Sequence, residues 1–465
     1  MVITGQVPGS PVRSADRAVQ PEPAPRIFGH QDSLDGLRVV AALAVLVVHV
    51  AGATGFAFTG TPASWVASHG DVGVPVFFTL SGLLLYRPWA LAALRGDPAP
   101  DLRRYLVRRV LRIVPIYWVV AAIAIVTVNQ RHAASPATWA QYLFFAQIYD
   151  PRPWWAGTGA PGLAQMWSLA VEASFYAALP AIGALLTLVA TKGTADIRVR
   201  ARRLLIAIAV LACLSYGFLA LIYLSTRSLL WLGETLPRSL TWFAPGMAIA
   251  VVAVWATLDD RADSAVRAFC RTLASCASAC WLIAGFAFVI ACTPLAGPED
   301  FTVPSLWQYE TKLLLYAVVA TAVVAPAAFQ HGGRTRLSAV LGNKLMKFLG
   351  KVSYGIFLWQ FLAIYALFGV IGLPDAFHGG SFSAPESVGL LIAVGLVTVA
   401  MATAGYYLVE LPALRLYRSH RPTSSNGRHR LRGYDASATA TEPAPSARLR
   451  LQPRFVPNDS DQQAS

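Results

Sequence analysis

Ten stretches of roughly 20 mainly apolar residues follow one another along the 465-residue chain, each long enough to cross a hydrocarbon core about 30 Å thick. They fall near 37–58, 71–91, 109–128, 166–190, 204–225, 238–256, 273–293, 313–330, 347–370 and 386–409. This recurrence predicts an all-α integral membrane protein of about ten transmembrane helices. Composition agrees: 55% of residues are hydrophobic, only 13% are charged and the mean hydropathy is +0.51. A soluble domain carries about 25% charged residues, so a single water-soluble globule is excluded. The apolar piece at 138–149 is too short to cross.

The cations between the stretches alternate along the chain. One set of loops holds Arg95, Arg103, Arg104 and Arg108, then Lys192, Arg198, Arg200 and Arg202, then Arg261, Arg267 and Arg271, then Arg334, Arg336 and Lys344. Between the first and second stretches, and between the ninth and tenth, there is no Lys or Arg. The positive-inside rule therefore predicts that both termini are cytoplasmic. The net charge of +14 reads as a topology signal rather than a nucleic-acid surface, because the cations separate hydrophobic segments instead of clustering on a soluble module.

Residues 1–33 are rich in Pro, Arg and Ser and contain no apolar h-region, so they read as a disordered cytoplasmic tail, with insertion directed by the first span. Residues 419–465 read as a disordered, basic cytoplasmic tail in which Arg428, His429, Arg430 and Arg432 either touch anionic lipid or are simply solvated. The transmembrane domain then covers 34–418. The five cysteines, Cys213, Cys270, Cys276, Cys280 and Cys292, lie in or beside apolar segments without a nearby His and read as packing residues. No metal site is expected.

Ionisable side chains deep in a bilayer are costly, which singles out His49 and Glu172. Arg38 precedes His49 by eleven residues, close to three full turns, so the two share one helix face about 16 Å apart along the axis. Glu172 lies about 10 Å below the opposite boundary, at nearly the depth His49 reaches from the inner side. A His and a Glu at one level suit a general base with its orienting carboxylate, and they equally suit a buried structural pair. Arg109 and Arg112 project to one side of the third span. They read either as snorkelling topology anchors or, with Arg38, as a cationic cup for a phosphorylated cytoplasmic ligand. Asp71 sits at the outer mouth of the second span and Ser81 about three turns deeper beside Gly82. No Gly-x-Ser-x-Gly elbow surrounds Ser81, and His378 before Gly379 and Gly380 lacks the α/β scaffold of an oxyanion motif.

Six motifs in fixed order carry a resemblance. They are LDGLRVVAALAVLVVH at 34–49, GVPVFFTLSGLLL at 73–85, RRVLRIVPIYW at 108–118, MWSLAVEASFYAALP at 166–180, LGKVSYGIFLWQ at 349–360 and YYLVELPALRL at 406–416. Over roughly residues 33–418 the chain resembles the acyltransferase family 3 of bacterial and lower-eukaryotic integral membrane O-acyltransferases, in its stand-alone form. The resemblance implies transfer of an acyl group, commonly acetyl, from cytoplasmic acyl-coenzyme A to a hydroxyl of a glycan, lipid-linked saccharide or secondary metabolite. It implies a multi-pass protein of the plasma membrane with no tightly bound cofactor and no nucleic-acid partner. His49 and Glu172 would be catalytic; Arg38, Arg109 and Arg112 would hold the donor; Asp71, Ser81, Trp167, Ser168, Tyr176 and Tyr354 would meet substrate. Two positions depart from the pattern: Ala173 stands where some members have a second carboxylate, and Gln360 where many have His. The rival class is a transporter or flippase, since a midplane His/Glu pair also suits proton coupling.

Overall fold

The computed structural model describes residues 32–419 apart from 226, 262, 298–303, 330–335, 373–376 and 378–381. The expected tails before residue 32 and after residue 419, and with them Arg334 and His378, lie outside the described residues. Among the described residues there is no strand. Eleven longer helices carry the fold: α1 (Asp32–Ala53), α2 (Gly73–Arg95), α3 (Leu102–Thr127), α4 (Met166–Thr191), α5 (Ile197–Leu224), α6 (Leu236–Leu258), α7 (Ala265–Ser275), α8 (Ala277–Ala291), α9 (Leu306–Ala328), α10 (Lys344–Val370) and α11 (Ala384–Gly405). Nine helices of the described chain are long and apolar enough to cross a membrane, and a tenth crossing results if α7 and α8 count as one span. The chain is a multi-pass membrane protein.

Helix ends follow local chemistry. The Asp101 carboxylate accepts from Arg104 N at 2.6 Å and starts α3, satisfying a donor the first turn leaves free. Gly96 ends α2 at φ 80°, a left-handed conformation that side chains disfavour. The stretch expected to span at 273–293 is bent instead by 69° at Cys276. The physical reason lies in α7, whose Arg267 and Arg271 give it a polar face; Arg267 Nε donates to the Ala256 carbonyl at 3.0 Å. The 15 residues of α8 reach only about 22 Å. The short helix Pro136–Leu143 overlaps the piece at 138–149 judged too short to cross.

α2, α6 and α10 form the buried centre, while α5 and the span containing α11 are mostly exposed at the perimeter. Helices in lipid gain little from hydrophobic association and approach closely through small residues. Gly82 and Gly246 do this between α2 and α6: a Cβ at Gly82 would overlap the Phe243 carbonyl oxygen, and one at Gly246 the Thr79 carbonyl oxygen. Gly246→Leu is accordingly expected to lose the monodisperse peak in detergent, since overpacking a core costs about 1–3 kcal/mol or more. Gly217→Leu, at a glycine with open space around it, should elute as wild type.

The bundle has two chemically distinct ends. Lys347 pairs with Asp32 at 2.6 Å, joining the starts of α10 and α1, and Arg200 of α5 donates to the Leu94 carbonyl of α2 at 3.2 Å. The Arg-rich loops therefore gather at one end. At the opposite end the starts of α2, α4, α6 and α9 meet.

Candidate active site

Three arginines converge near the Arg-rich end. Arg38 of α1 forms an ion pair with Asp35, one turn away, at 2.8 Å. It lies within electrostatic reach of Arg112 and of Tyr176, and Arg109 lies within reach of Tyr176, Arg112, Tyr105 and Glu172. The Arg109 Nε is buried without a hydrogen-bond partner. Among the described residues neither Arg109 nor Arg112 is held by a direct ion pair. The Arg109 and Arg112 guanidiniums of α3, gathered beside the Asp35-paired Arg38 of α1, suit a ligand carrying several anionic oxygens.

Glu172 of α4 adjoins this cluster. Its Oε1 accepts from the Tyr176 hydroxyl at 2.5 Å, one helical turn on, and from the Ser81 hydroxyl of α2. Tyr105 donates to the Tyr176 carbonyl at 3.2 Å. Tyr354 donates to the Ile113 carbonyl at 3.0 Å and stands within electrostatic reach of Glu172, Tyr176 and Glu410. Ser81 is thus a carboxylate-bound hydroxyl. Ser168 is buried and bonds back to the Gln165 carbonyl at 3.1 Å inside its own first turn.

His49 has different neighbours. Its ring packs against Phe361 with centroids 4.3 Å apart, and the Gln360 side chain faces it. Gln360 is fully buried; its Nε2 donates to the Phe357 carbonyl at 2.9 Å, and its Oε1, like the His49 Nδ1, has no hydrogen bond. No hydrogen bond or ion pair joins His49 to Glu172, so the pairing expected from their equal depth is not made. The reason is lateral: α2 packs against both α1 and α4, and its Ser81 takes up the carboxylate.

Asp71 and Trp167 belong to a third group, at the opposite end. Asp71 pairs with Lys312 of α9 at 3.0 Å and accepts from the Tyr316 hydroxyl. Trp167 flanks Arg238 of α6, whose guanidinium carbon lies 5.3 Å from the ring centroid. Asp71 is within electrostatic reach of His49. The sequence reading missed Tyr105, Glu410, Glu234, Arg238, Tyr309, Lys312 and Tyr316. The four-residue spacing of Glu234 and Arg238 was an available signal, whereas the approach of Lys312 to Asp71 has no local trace. Among the described residues no group of three or more His, Cys, Asp or Glu is arranged to hold a metal ion.

A helical bundle with a cationic cluster at one end, a mixed polar cluster at the other and His49 and Glu172 between them has the layout of a membrane-embedded group-transfer protein. The chain belongs to the acyltransferase 3 family: the acyltransferase-domain profile matches residues 31–409. It is 26% identical over 349 residues to the peptidoglycan O-acetyltransferase OatA of Listeria monocytogenes, covering 71% of this chain and 48% of that protein. It is 26% identical over 397 residues to the putative peptidoglycan O-acetyltransferase YrhL of Bacillus subtilis, covering 82% and 54%. Over 157 residues it is 32% identical to the acyltransferase MdmB of Streptomyces mycarofaciens, covering 32% and 38%. The chain thus spans about half the length of the first two curated relatives. No solved structure matches it.

Proposed function

We propose that this protein is an O-acyltransferase of the plasma membrane that moves an acyl group, with acetyl the first candidate, from acyl-coenzyme A to a hydroxyl of a glycan or other hydroxyl-bearing acceptor. The observation that carries the reading is the convergence of Arg38, Arg109 and Arg112 beside Glu172 within a chain of this family. The names of the relatives support O-acetylation and a glycan acceptor.

In this reading the arginines hold the donor phosphates and the thioester points toward the bundle interior. His49 removes the acceptor hydroxyl proton as the oxygen attacks the acyl carbon, the carbon–sulfur bond breaks, and the proton returns to the leaving thiolate. Glu172 holds Ser81 and Tyr176 in place and balances the charge of Arg109. Gln360 is a positioning residue: its buried Oε1, which has no other partner, faces the imidazole and accepts from the His49 Nδ1–H once the acceptor is engaged, leaving Nε2 to act as base. Gln360→Met, similar in size but without the acceptor, is expected to lower kcat about fivefold with donor KM unchanged, from loss of one hydrogen bond worth about 1 kcal/mol. Gln360→His should restore most of the rate. No observation favours the transporter reading, whose motif was the His49–Glu172 pair.

The test is direct: purified protein in detergent is incubated with radiolabelled acetyl-coenzyme A and a panel of saccharide acceptors, and labelled ester is separated and counted. Label that is base-labile and appears only with acceptor supports the proposal. Absence of any acceptor-dependent ester from monodisperse protein overturns it.

A further inference from the structure

The opposite end of the bundle holds charges for which donor binding and proton transfer have no use. Arg238, at the start of α6, is buried, with 5% of its side chain exposed, and pairs with Glu234 at 3.0 Å. Its guanidinium carbon lies 5.3, 5.2 and 5.6 Å from the ring centroids of Trp167, Trp242 and Tyr309, and it donates to the Tyr309 hydroxyl. Such stacking holds the planar group in a fixed orientation. Beside it, Lys312 pairs with Asp71 at 3.0 Å and stands 5.1 Å from the Tyr316 ring centroid. The two pairs sense each other: Asp71 is within electrostatic reach of Arg238, and Lys312 of Glu234.

Two further facts separate this group from a helix staple. Its rim is open, with 31% of the Glu234 side chain, 34% of Lys312 and 42% of Asp71 exposed. It also lies within electrostatic reach of His49 through Asp71. Exposed ion pairs add little to stability, whereas a rim of carboxylate acceptors and an ammonium donor over aromatic rings matches the alternating hydroxyl and C–H surface of a sugar.

We propose that Asp71, Glu234 and Lys312, supported by Arg238 and its aromatic cage, form the acceptor subsite, and that it takes a neutral polyhydroxylated unit. Two carboxylates balance two cations, so the rim offers an anionic sugar no net positive charge and binds it only by giving up the Asp71 or Glu234 pair, while a neutral one bonds to both without breaking either pair. The inference rests on the acyl-transfer reading and names its acceptor class.

The experiment titrates purified protein in detergent with chitotetraose, a neutral probe, and with tetragalacturonate, its anionic counterpart, following tryptophan fluorescence. Wild type is expected to bind chitotetraose saturably and tetragalacturonate at least about fivefold more weakly. Lys312→Met should weaken chitotetraose about tenfold. Glu234→Gln leaves a local excess of one positive charge; it should weaken chitotetraose and strengthen tetragalacturonate, a gain that a purely structural role does not produce. Acetyl-coenzyme A affinity, measured on the same samples, should not move.

Equal affinity of wild type for both probes, no saturable binding of chitotetraose, or an unchanged preference in the Glu234 variant overturns the subsite. Labelled-ester formation in wild type reports separately on acyl transfer. Saccharide binding without ester formation would remove the transferase reading, and ester formation unaffected by either substitution would remove the subsite alone.

Discussion

His49→Ala is expected to lower acyl transfer by about 10²–10⁴-fold, the usual cost of removing a general base, while the protein inserts and elutes as wild type. The geometry explains why the loss should fall on chemistry. The imidazole is half-buried, packs on Phe361 and makes no hydrogen bond through Nδ1, so its removal leaves no protein donor or acceptor newly stranded. His49→Gln, closer in volume and without a basic nitrogen, should be as inactive as the Ala variant. Counting acceptor-dependent labelled ester from size-checked protein decides the matter. Turnover within threefold of wild type in either variant would take His49 out of the proton-transfer role.

The second large effect concerns the donor. Arg109→Ala and Arg112→Ala should each raise the dissociation constant for acetyl-coenzyme A about tenfold or more, because a hydrogen bond to a charged group is worth about 1.5–3 kcal/mol. The double variant should lose roughly a hundredfold, less whatever the two residues share through Tyr176. Lys at either position restores the charge but not the planar two-pronged contact, so rescue should be partial. Topology anchoring predicts a different pattern, with full function in the Lys variants and lowered membrane yield in the Ala variants. Donor titration of purified protein separates the two, and unchanged affinity in both Ala variants would exclude the arginines from donor binding.

Part of the site lies within single helices, where residue spacing carries the contact. Glu172 and Tyr176 are one turn apart on α4 and bond to each other; Arg109 and Arg112 share a face of α3 and lie within electrostatic reach of each other. Glu234 and Arg238 have the same one-turn relation but sit at the edge of an apolar stretch, where a charge reads first as a boundary marker. What spacing cannot give is the partner on another helix. Ser81 meets Glu172, Lys312 meets Asp71, and Gln360 faces His49 across helix boundaries. Gln360, noted in the sequence only as a departure from a pattern, comes to face His49 because α10 packs against α1.

The sequence by itself determined the class of protein, the near-tenfold recurrence of spans, which end of the bundle collects the arginines, and the depth of each polar residue along its helix. These follow from two one-dimensional quantities: the length of apolar chain needed to cross hydrocarbon and the 1.5 Å rise per helical residue. Tertiary structure alone decided which helices are neighbours and how each is rotated. For that reason equal depth did not bring His49 to Glu172. In lipid a helix surface facing outward is as apolar as one facing a neighbour, so hydrophobic patterning carries little record of rotation. Close approach through small residues such as Gly82 and Gly246 sets it instead.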